Sequence, residues 1–387
     1  GVKGEKHTAI IEEKPEVKKA GGVYYTPEYI VNYIVEKTVG RIINARMAKA
    51  KASLASLDDL RIIDPSCGSG SFLVGAYSYL LKYALEYYSD DAHSKKALKE
   101  GKIYQTIGEA YKLTIEEKQR ILLKHIFGVD IDEQAVEVAK LSLYLKLLED
   151  EGAEANSRQE LFRHTDFALL PSLMNNIQCG NALVDSDYYL KSKEELFIDD
   201  EARRAINVFD WEERFEAVFG GEDGGFDCVI GNPPYVSAPN QVDNENLKRQ
   251  REYLASCNKY KSLYQKWDLY IPFIEKGLNI LKDGGLYGAI VPYPFTNQTY
   301  ASALRRIILE SYHLLEIVDL KGTKVFAGAT VTNCIPIIRK KISCKTADQV
   351  NISHIDEEKT ISIAFTKPVS ELVIDEKIVA GTWKRKQ

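Results

Sequence analysis

Short, nearly continuous apolar runs alternate along this chain with longer stretches whose apolar residues recur at helical spacing. The short runs, closed by Gly, Asp or Asn, read as buried strands, and the longer stretches as amphipathic helices. Strands are predicted where Leu60–Ile63 leads into Asp64, at His125–Asp132, at Asn176–Leu183, at Phe226–Ile230, at Leu286–Pro292, and over 314–320 and 329–340. Helices are predicted over 27–48, 71–88, from Val136 through Leu147, over 200–219, from Trp267 to Leu281 with Asp283-Gly-Gly285 as its stop, and over 298–310. This alternation predicts an α/β fold with a doubly wound, mostly parallel, seven-stranded sheet. The last two strands are joined by the short link Lys321–Gly328, which favours an antiparallel pair.

The same pattern divides the chain. Residues 1–20 are charged and aperiodic and read as a mobile lead-in. Residues 21–60 form an N-terminal helical segment. Residues 61–341 carry the sheet, with polar insertions at about 90–120, 185–225 and 236–265. The extension 342–387 is too short for another large core.

Composition adds exclusions. The 387 residues are 45% hydrophobic and 28% charged, ordinary for a globular protein. The net charge of −5 carries no global basic signature, so a nucleic-acid partner needs a local patch. One candidate exists. Lys248, Arg249, Arg251, Lys259, Lys261 and Lys266 face only Glu252 between 248 and 266, with Tyr253, Tyr260 and Tyr264 interleaved. Cations mixed with aromatics suit a phosphate backbone and unstacked bases, and equally a solvated helix face. Cysteines 67, 179, 228, 257, 334 and 344 form no ligand cluster, which argues against zinc, any other metal centre and a disulfide framework. No signal peptide and no bilayer-length apolar run is visible, which points to the cytoplasm and away from a membrane.

Candidate chemistry sits at strand ends, where open α/β sheets bind ligands. Asn232-Pro233-Pro234-Tyr235 follows the 226–230 strand. Two prolines remove two backbone donors, so the Asn232 and Pro233 carbonyls are free to point outward. With the Asn232 side-chain oxygen they make an acceptor cluster for a planar NH2 group, and Tyr235 adds an aromatic face. Upstream, Asp64-Pro-Ser66-Cys67-Gly68-Ser-Gly70-Ser-Phe72 places an acid at a strand tip before a glycine-rich turn and a helix. That frame suits a nucleotide-like ligand with a cationic group better than a pyrophosphate. Asp130 ends the next strand and suits ribose hydroxyls. Asp132 suits a helix cap, and Asn181 ends the third strand. Thr26 and Pro27 read as the N-cap and first residue of a helix.

Taken in order, Tyr25-Thr26-Pro27, Asp64 to Phe72, Asp130, Asn181, Asn232 to Tyr235, Lys266-Trp-Asp-Leu-Tyr270 with its helix, the Gly284-Gly285 strand and Val325-Phe-Ala-Gly-Ala-Thr-Val331 resemble one family. They are similar to the class I S-adenosylmethionine-dependent methyltransferases, specifically the gamma-class adenine DNA methyltransferases of restriction–modification systems. The resemblance covers about residues 21–341 and is strongest for single chains that fuse nuclease, methyltransferase and recognition domains. It implies S-adenosylmethionine as cofactor. Thr26 and Pro27 would meet its methionine end, and Asp64 its ammonium, with Ser66 to Gly70 and Phe72 alongside. Asp130 would take the ribose, and Asn181 the cofactor adenine amine, where the family often has an acid.

The resemblance also implies double-stranded DNA as substrate. Asn232 and Pro233, held by Pro234, would grip the target adenine amine, and Tyr235 and Phe326 would stack on the flipped base. Lys248, Arg249, Arg251, Lys259 and Lys261 would meet the DNA backbone. It implies a recognition domain, fused or separate, toward which residues 342–387 extend, and a nuclease domain. Three other readings use the same residues: a cytosine-amine DNA methyltransferase, a protein-glutamine methyltransferase, and a catalytically silent cofactor-binding subunit.

Overall fold

A computed structural model describes residues 25–49, 53–106, 108–149, 170–191, 205–221, 223–326, 331–341, 349–356 and 358–369, with two short strands at 373–374 and 377–378. The 1–20 lead-in, residues 200–204 of a predicted helix and residues 327–330 of the Val325–Val331 motif lie outside the described residues.

The N-terminal segment is helix α1 (Glu28–Val35), a π-helical turn (Glu36–Gly40) and helix α2 (Arg41–Met47). Strand β1 (Ile62–Asp64) then leads through the glycine-rich turn into α3 (Ser71–Ser89). The polar 90–120 insertion contains a short helix at Ser94–Lys99 and a hairpin of β2 (Ile103–Gln105) and β3 (Tyr111–Leu113) before α4 (Ile115–His125). Strand β4 (Ile126–Asp130), helix α5 (Glu133–Leu148) and strand β5 (Ile177–Cys179) continue the alternation. The helix predicted over 200–219 is, within the described residues, two short turns at Trp211–Arg214 and Glu216–Phe219.

Strand β6 (Phe226–Gly231) carries the Asn-Pro-Pro-Tyr segment at its end. Helix α6 (Glu245–Ser256) follows, started by Asn244, whose Oδ1 accepts from Leu247 N at 3.1 Å. Helix α7 spans Tyr270–Asn279, shorter than the predicted Trp267–Leu281. Its start is delayed because the preceding loop is tied elsewhere: Leu269 N donates to Val236 O at 2.9 Å, and Asp268 Oδ1 accepts from Ala238 N at 3.0 Å. Gly284-Gly285 does not stop this helix as expected but lies inside β7 (Leu281–Ala289). Phe226 pairs with Leu281 and Cys228 with Leu286, so residues 282–285 bulge out opposite Asp227, with Gly284 at φ 78°. The short β8 (Val291–Pro292), helix α8 (Ser302–Ser311), β9 (Tyr312–Asp319) and β10 (Asn333–Lys340) follow. Past residue 341 the sheet continues with β11 (Gln349–Ile355) and β12 (Ile361–Pro368).

The strand order is β12-β11-β9-β10-β7-β6-β1-β4-β5, with β8 paired to β10. The seven predicted strands are its core, and the C-terminal extension adds to one edge: β11 lies parallel to β9, and β12 antiparallel to β11. Pairings β6–β7, β1–β6, β1–β4 and β4–β5 are parallel, whereas β10 is antiparallel to β7 and β9. Strands covered on both faces read as unbroken apolar runs because alternate residues enter different cores. Ile62, Cys228 and Ile230 join α1 and α3 on one face, while Ile63 and Val229 join α7 and the 206–219 segment on the other. Full burial of side chains such as Ile62 or Phe226 contributes about 1.5–3 kcal/mol each relative to exposure. Chain order reverses direction between β1 and β6, so their C-terminal ends flank the crevice where such sheets take ligands. Among the described residues, no helix is long and apolar enough to cross a membrane.

Candidate active site

The crevice between β1 and β6 brings Asp64 and Asn232 together. Asp64 is 1% exposed. Its Oδ1 accepts from Ser66 N at 3.0 Å, and among the described residues no cation pairs with it. Burial, reinforced by nearby Asp130, pushes its carboxyl up to about 8. Gly231, the last residue of β6, is what lets the strands approach here: an added Cβ would stand 2.6 Å from Asp64 Oδ1. A buried carboxylate without a cation is costly, so the isolated side chain favours its neutral form.

The glycine-rich turn is fixed at both ends. Cys67 is buried, and its N donates to Val129 O at 2.9 Å. Gly70 takes φ 87° as α3 begins, and a Cβ there would meet Ala139 Cβ at 3.1 Å. Gly68 faces open space, and its N donates to Asp130 Oδ2 at 2.8 Å. Asp130 Oδ1 accepts from Asp132 N at 3.0 Å, and burial raises its carboxyl as well. Asp132 caps α5, its Oδ1 accepting from Gln134 N at 2.9 Å. Phe72 is buried in the first turn of α3. Asn181 is buried, and its Oδ1 accepts from Leu183 N at 3.1 Å, so part of its accepting capacity is spent on its own turn.

At the end of β6 the acceptor cluster differs in one member from the expected set. The Asn232 backbone carbonyl does not point free but accepts from Ser66 Oγ at 3.4 Å, because the glycine-rich turn reaches across the crevice. The Asn232 side chain donates from Nδ2 to Thr26 Oγ1 at 3.2 Å. Its Oδ1 is buried and has no hydrogen-bond partner among the described residues. Pro233 is buried, and Pro234 and Tyr235 are half-buried. Thr26 is not the N-cap of α1: Pro27 holds that position, its carbonyl accepting from Ile30 N at 3.0 Å and Val31 N at 3.2 Å.

Tyr235 and Phe326 lie against each other edge to face, with centroids 6.4 Å apart and planes at 73°. A flat ligand stacked on Tyr235 therefore meets Phe326 at a steep angle rather than as a second parallel wall. The Tyr235 hydroxyl donates to Ile290 O at 2.9 Å and accepts from Asn333 Nδ2 at 3.1 Å. The residue patterning did not single out Asn333; the available signal was a polar side chain opening an apolar strand.

The basic patch splits. Arg251 is not a free cation: its guanidinium lies 3.9 Å from the Trp267 ring centroid and donates to Trp267 O at 2.8 Å and Gln241 Oε1 at 3.0 Å. Lys259 pairs with Asp185 at 2.6 Å and Asp187 at 3.0 Å. Both sit beside loops that need internal neutralisation and bracing. Lys248 and Arg249 are half-exposed, Arg249 lying 3.5 Å from Glu245, and Lys261, Tyr264 and Lys266 are exposed.

A family of Eco57I restriction-modification methylases matches residues 124–326, a little over half of the chain. A family of N-6 DNA methylases matches residues 8–167. The Type II restriction enzyme and methyltransferase RM.Eco57I of Escherichia coli is 31% identical over 319 residues, covering 82% of this chain and 28% of its own. The adenine-specific methyltransferase PglX of Streptomyces coelicolor is 23% identical over 329 residues, covering 81% of this chain and 23% of its own. The chain thus spans under a third of these two relatives. Its fold is shared with a nuclease-deletion mutant of the Type ISP restriction-modification enzyme LlaGI bound to a DNA substrate mimic. That likeness has a TM-score of 0.53 and 20% identity over 86% of this chain and 24% of the other. With these matches and the crevice between β1 and β6 taken together, the chain belongs to the Eco57I restriction-modification methylase family.

Proposed function

We propose that this chain methylates the exocyclic amine of adenine in duplex DNA, as the modification part of a restriction–modification system. The observation that carries the reading is the Asn232 Oδ1, a buried acceptor with no partner among the described residues, at the tip of β6. A buried unmade acceptor costs about 1–3 kcal/mol, and an incoming NH2 group recovers that. The match to the N-6 DNA methylases and the likeness to PglX support adenine over the cytosine amine.

S-adenosylmethionine, when bound, supplies an electrophilic methyl on a sulfonium. The chain's own residues then have separate tasks. Asp64 holds the ammonium, which ends its isolation as a buried carboxyl. Asp130 holds the ribose hydroxyls, and the turn from Ser66 to Gly70 with Phe72 lines the approach. Thr26 and Pro27 lie at the methionine end, and Asn181 at the adenine end. Asn232 Oδ1 and the Pro233 carbonyl accept hydrogen bonds from the two N–H groups of the target amine. This weakens the conjugation of its lone pair with the ring and turns that pair outward. A base inside a duplex cannot reach this crevice, so it is flipped, at roughly a few kcal/mol. Stacking on Tyr235, about 1–3 kcal/mol, offsets much of that.

Lys248, Arg249 and Lys261, with Lys266 beside them, face the DNA backbone, whereas Arg251 and Lys259 serve the fold. Target recognition and cleavage belong to further domains or subunits, in keeping with the small share of RM.Eco57I that the chain spans. The test is incorporation of labelled methyl from S-adenosylmethionine into random-sequence duplex DNA. Label in N6-methyladenine supports the reading; label confined to cytosine, or in protein alone, refutes it.

A further inference from the structure

We infer that the turn after β9 is a second phosphate-binding surface, in which Lys321 and Lys324 take the backbone of the DNA strand whose base enters the crevice. The inference rests on the proposed reaction with DNA and adds residues outside the 248–266 stretch. Strand β10 runs antiparallel to β7 and to β9, and β7 runs parallel to β6, so β9 ends at the same edge of the sheet as β6. The turn therefore opens on the side of the Asn-Pro-Pro-Tyr segment. It runs on into Phe326, whose ring centroid lies 6.4 Å from that of Tyr235. In the sheet β9 stands three strand spacings from β6, roughly 14 Å. That offset suits the phosphates flanking a base stacked on Tyr235 rather than the base itself.

The turn is fixed and open. Asp319 Oδ1 accepts from Lys321 N at 2.8 Å, and Leu320 O accepts from Thr323 N at 3.1 Å. Gly322 supplies a left-handed φ of 83°, and a Cβ placed there would meet nothing within 4 Å. Lys321 and Lys324 are both exposed. Lys321 Nζ lies 3.8 Å from the Tyr293 ring centroid, a contact that holds an ammonium in place without cancelling its charge. Tyr293 is itself set by the sheet, its N donating to Thr332 O at 2.7 Å. Among the described residues no carboxylate forms an ion pair with Lys321 or Lys324. Arg251 and Lys259, by contrast, are occupied within the fold. Two exposed ammoniums, one braced on a ring and neither neutralised, fit an anion. On a substrate whose base passes between Tyr235 and Phe326, that anion is a phosphate.

The test measures duplex DNA binding against salt concentration for wild type, Lys321→Gln, Lys324→Gln, Lys321→Arg and Lys82→Gln in the full chain, with melting temperature and S-adenosylmethionine affinity beside it. Lys82 is exposed about three turns down α3 from the crevice and controls for net charge. Each of Lys321→Gln and Lys324→Gln should lower the salt slope by about 1, the share of one phosphate contact, and weaken binding several-fold at about 0.15 M salt. Lys321→Arg and Lys82→Gln should keep the wild-type slope. Melting temperature and cofactor affinity should change little in all four. In methylation the loss should fall on the KM for DNA. A wild-type slope in either Lys321→Gln or Lys324→Gln, or an equal fall in Lys82→Gln, would overturn the inference. If wild type binds DNA but methylates no adenine, the proposed reaction fails, and the slopes still decide whether this turn holds phosphate.

Discussion

Asn333 donates from its side-chain amide to the Tyr235 hydroxyl at 3.1 Å, across a gap of 98 positions in sequence. The same hydroxyl donates to Ile290 O at 2.9 Å. The hydroxyl is thereby engaged both as donor and as acceptor, so the proposed stacking role of Tyr235 falls to its ring face. Tyr235→Phe keeps the ring and removes the pin. It leaves the buried Asn333 amide short of an acceptor, and the protein should lose about 1–3 kcal/mol of stability. Turnover should fall several-fold, less than in Tyr235→Ala, which also loses the stacking face. Thermal unfolding and initial rates on DNA check this; wild-type values for Tyr235→Phe would mean that the hydroxyl holds nothing in place.

Asp64 gives the protein a specific pH dependence. Its carboxyl is raised to about 8 in the folded chain by burial, against about 3.9 when unfolded. A group raised on folding stabilises fully below its unfolded pKa and loses that contribution as pH rises through the folded one. The ligand-free protein should therefore lose thermal stability between about pH 4 and pH 8, and Asp64→Asn should lack that part of the slope. S-adenosylmethionine, whose ammonium favours the ionised carboxyl, should bind wild type with release of a fraction of a proton at pH 7. Calorimetry in buffers of different ionisation enthalpy reads this directly. Identical pH slopes for wild type and Asp64→Asn would remove Asp64 from the account.

Two cations of the 248–266 stretch should behave oppositely. Arg251→Met removes the stack on Trp267, takes the arginine donor from Gln241 Oε1 and leaves Trp267 O to its longer bond from Gln241 Nε2 at 3.3 Å, so it should destabilise by about 1–3 kcal/mol. Lys261→Ala should leave the melting temperature unchanged and lower the salt slope of DNA binding by about 1, the share of one phosphate contact. Weaker DNA binding at unchanged stability in Arg251→Met would show that its side chain reaches DNA.

The strand ends were legible in sequence because each is an apolar run closed by a polar residue. Asp64, Asp130 and Asn232 all stand where that pattern puts them. The antiparallel β9–β10 pair followed from a short link. Cross-chain bonding was not legible. Thr26 looks like a helix cap because Thr-Pro usually is one, and only the meeting of α1 with β6 gives its hydroxyl another partner. Arg251 looks like a DNA-facing cation because spacing in sequence does not reveal Trp267 beneath it. Gly284-Gly285 looks like a helix stop, whereas the glycines serve a bulge opposite Asp227 whose cause is strand register. The edge-on setting of Tyr235 and Phe326 likewise depends on how β6 and the segment after β9 converge.

In the proposed function Asn232 acts on the amine of a DNA adenine and not on the cofactor. The most direct measurement is N6-methyladenine formed in duplex DNA by wild type and by Asn232→Ala, by mass spectrometry, beside S-adenosylmethionine affinity for both. Wild type should form N6-methyladenine. Asn232→Ala should lose roughly 10²–10³-fold in turnover, as when one aligned polar group is removed from an active site, while binding the cofactor within a few-fold of wild type. Near-normal turnover in Asn232→Ala, or loss of cofactor binding in step with activity in a folded variant, would contradict the account.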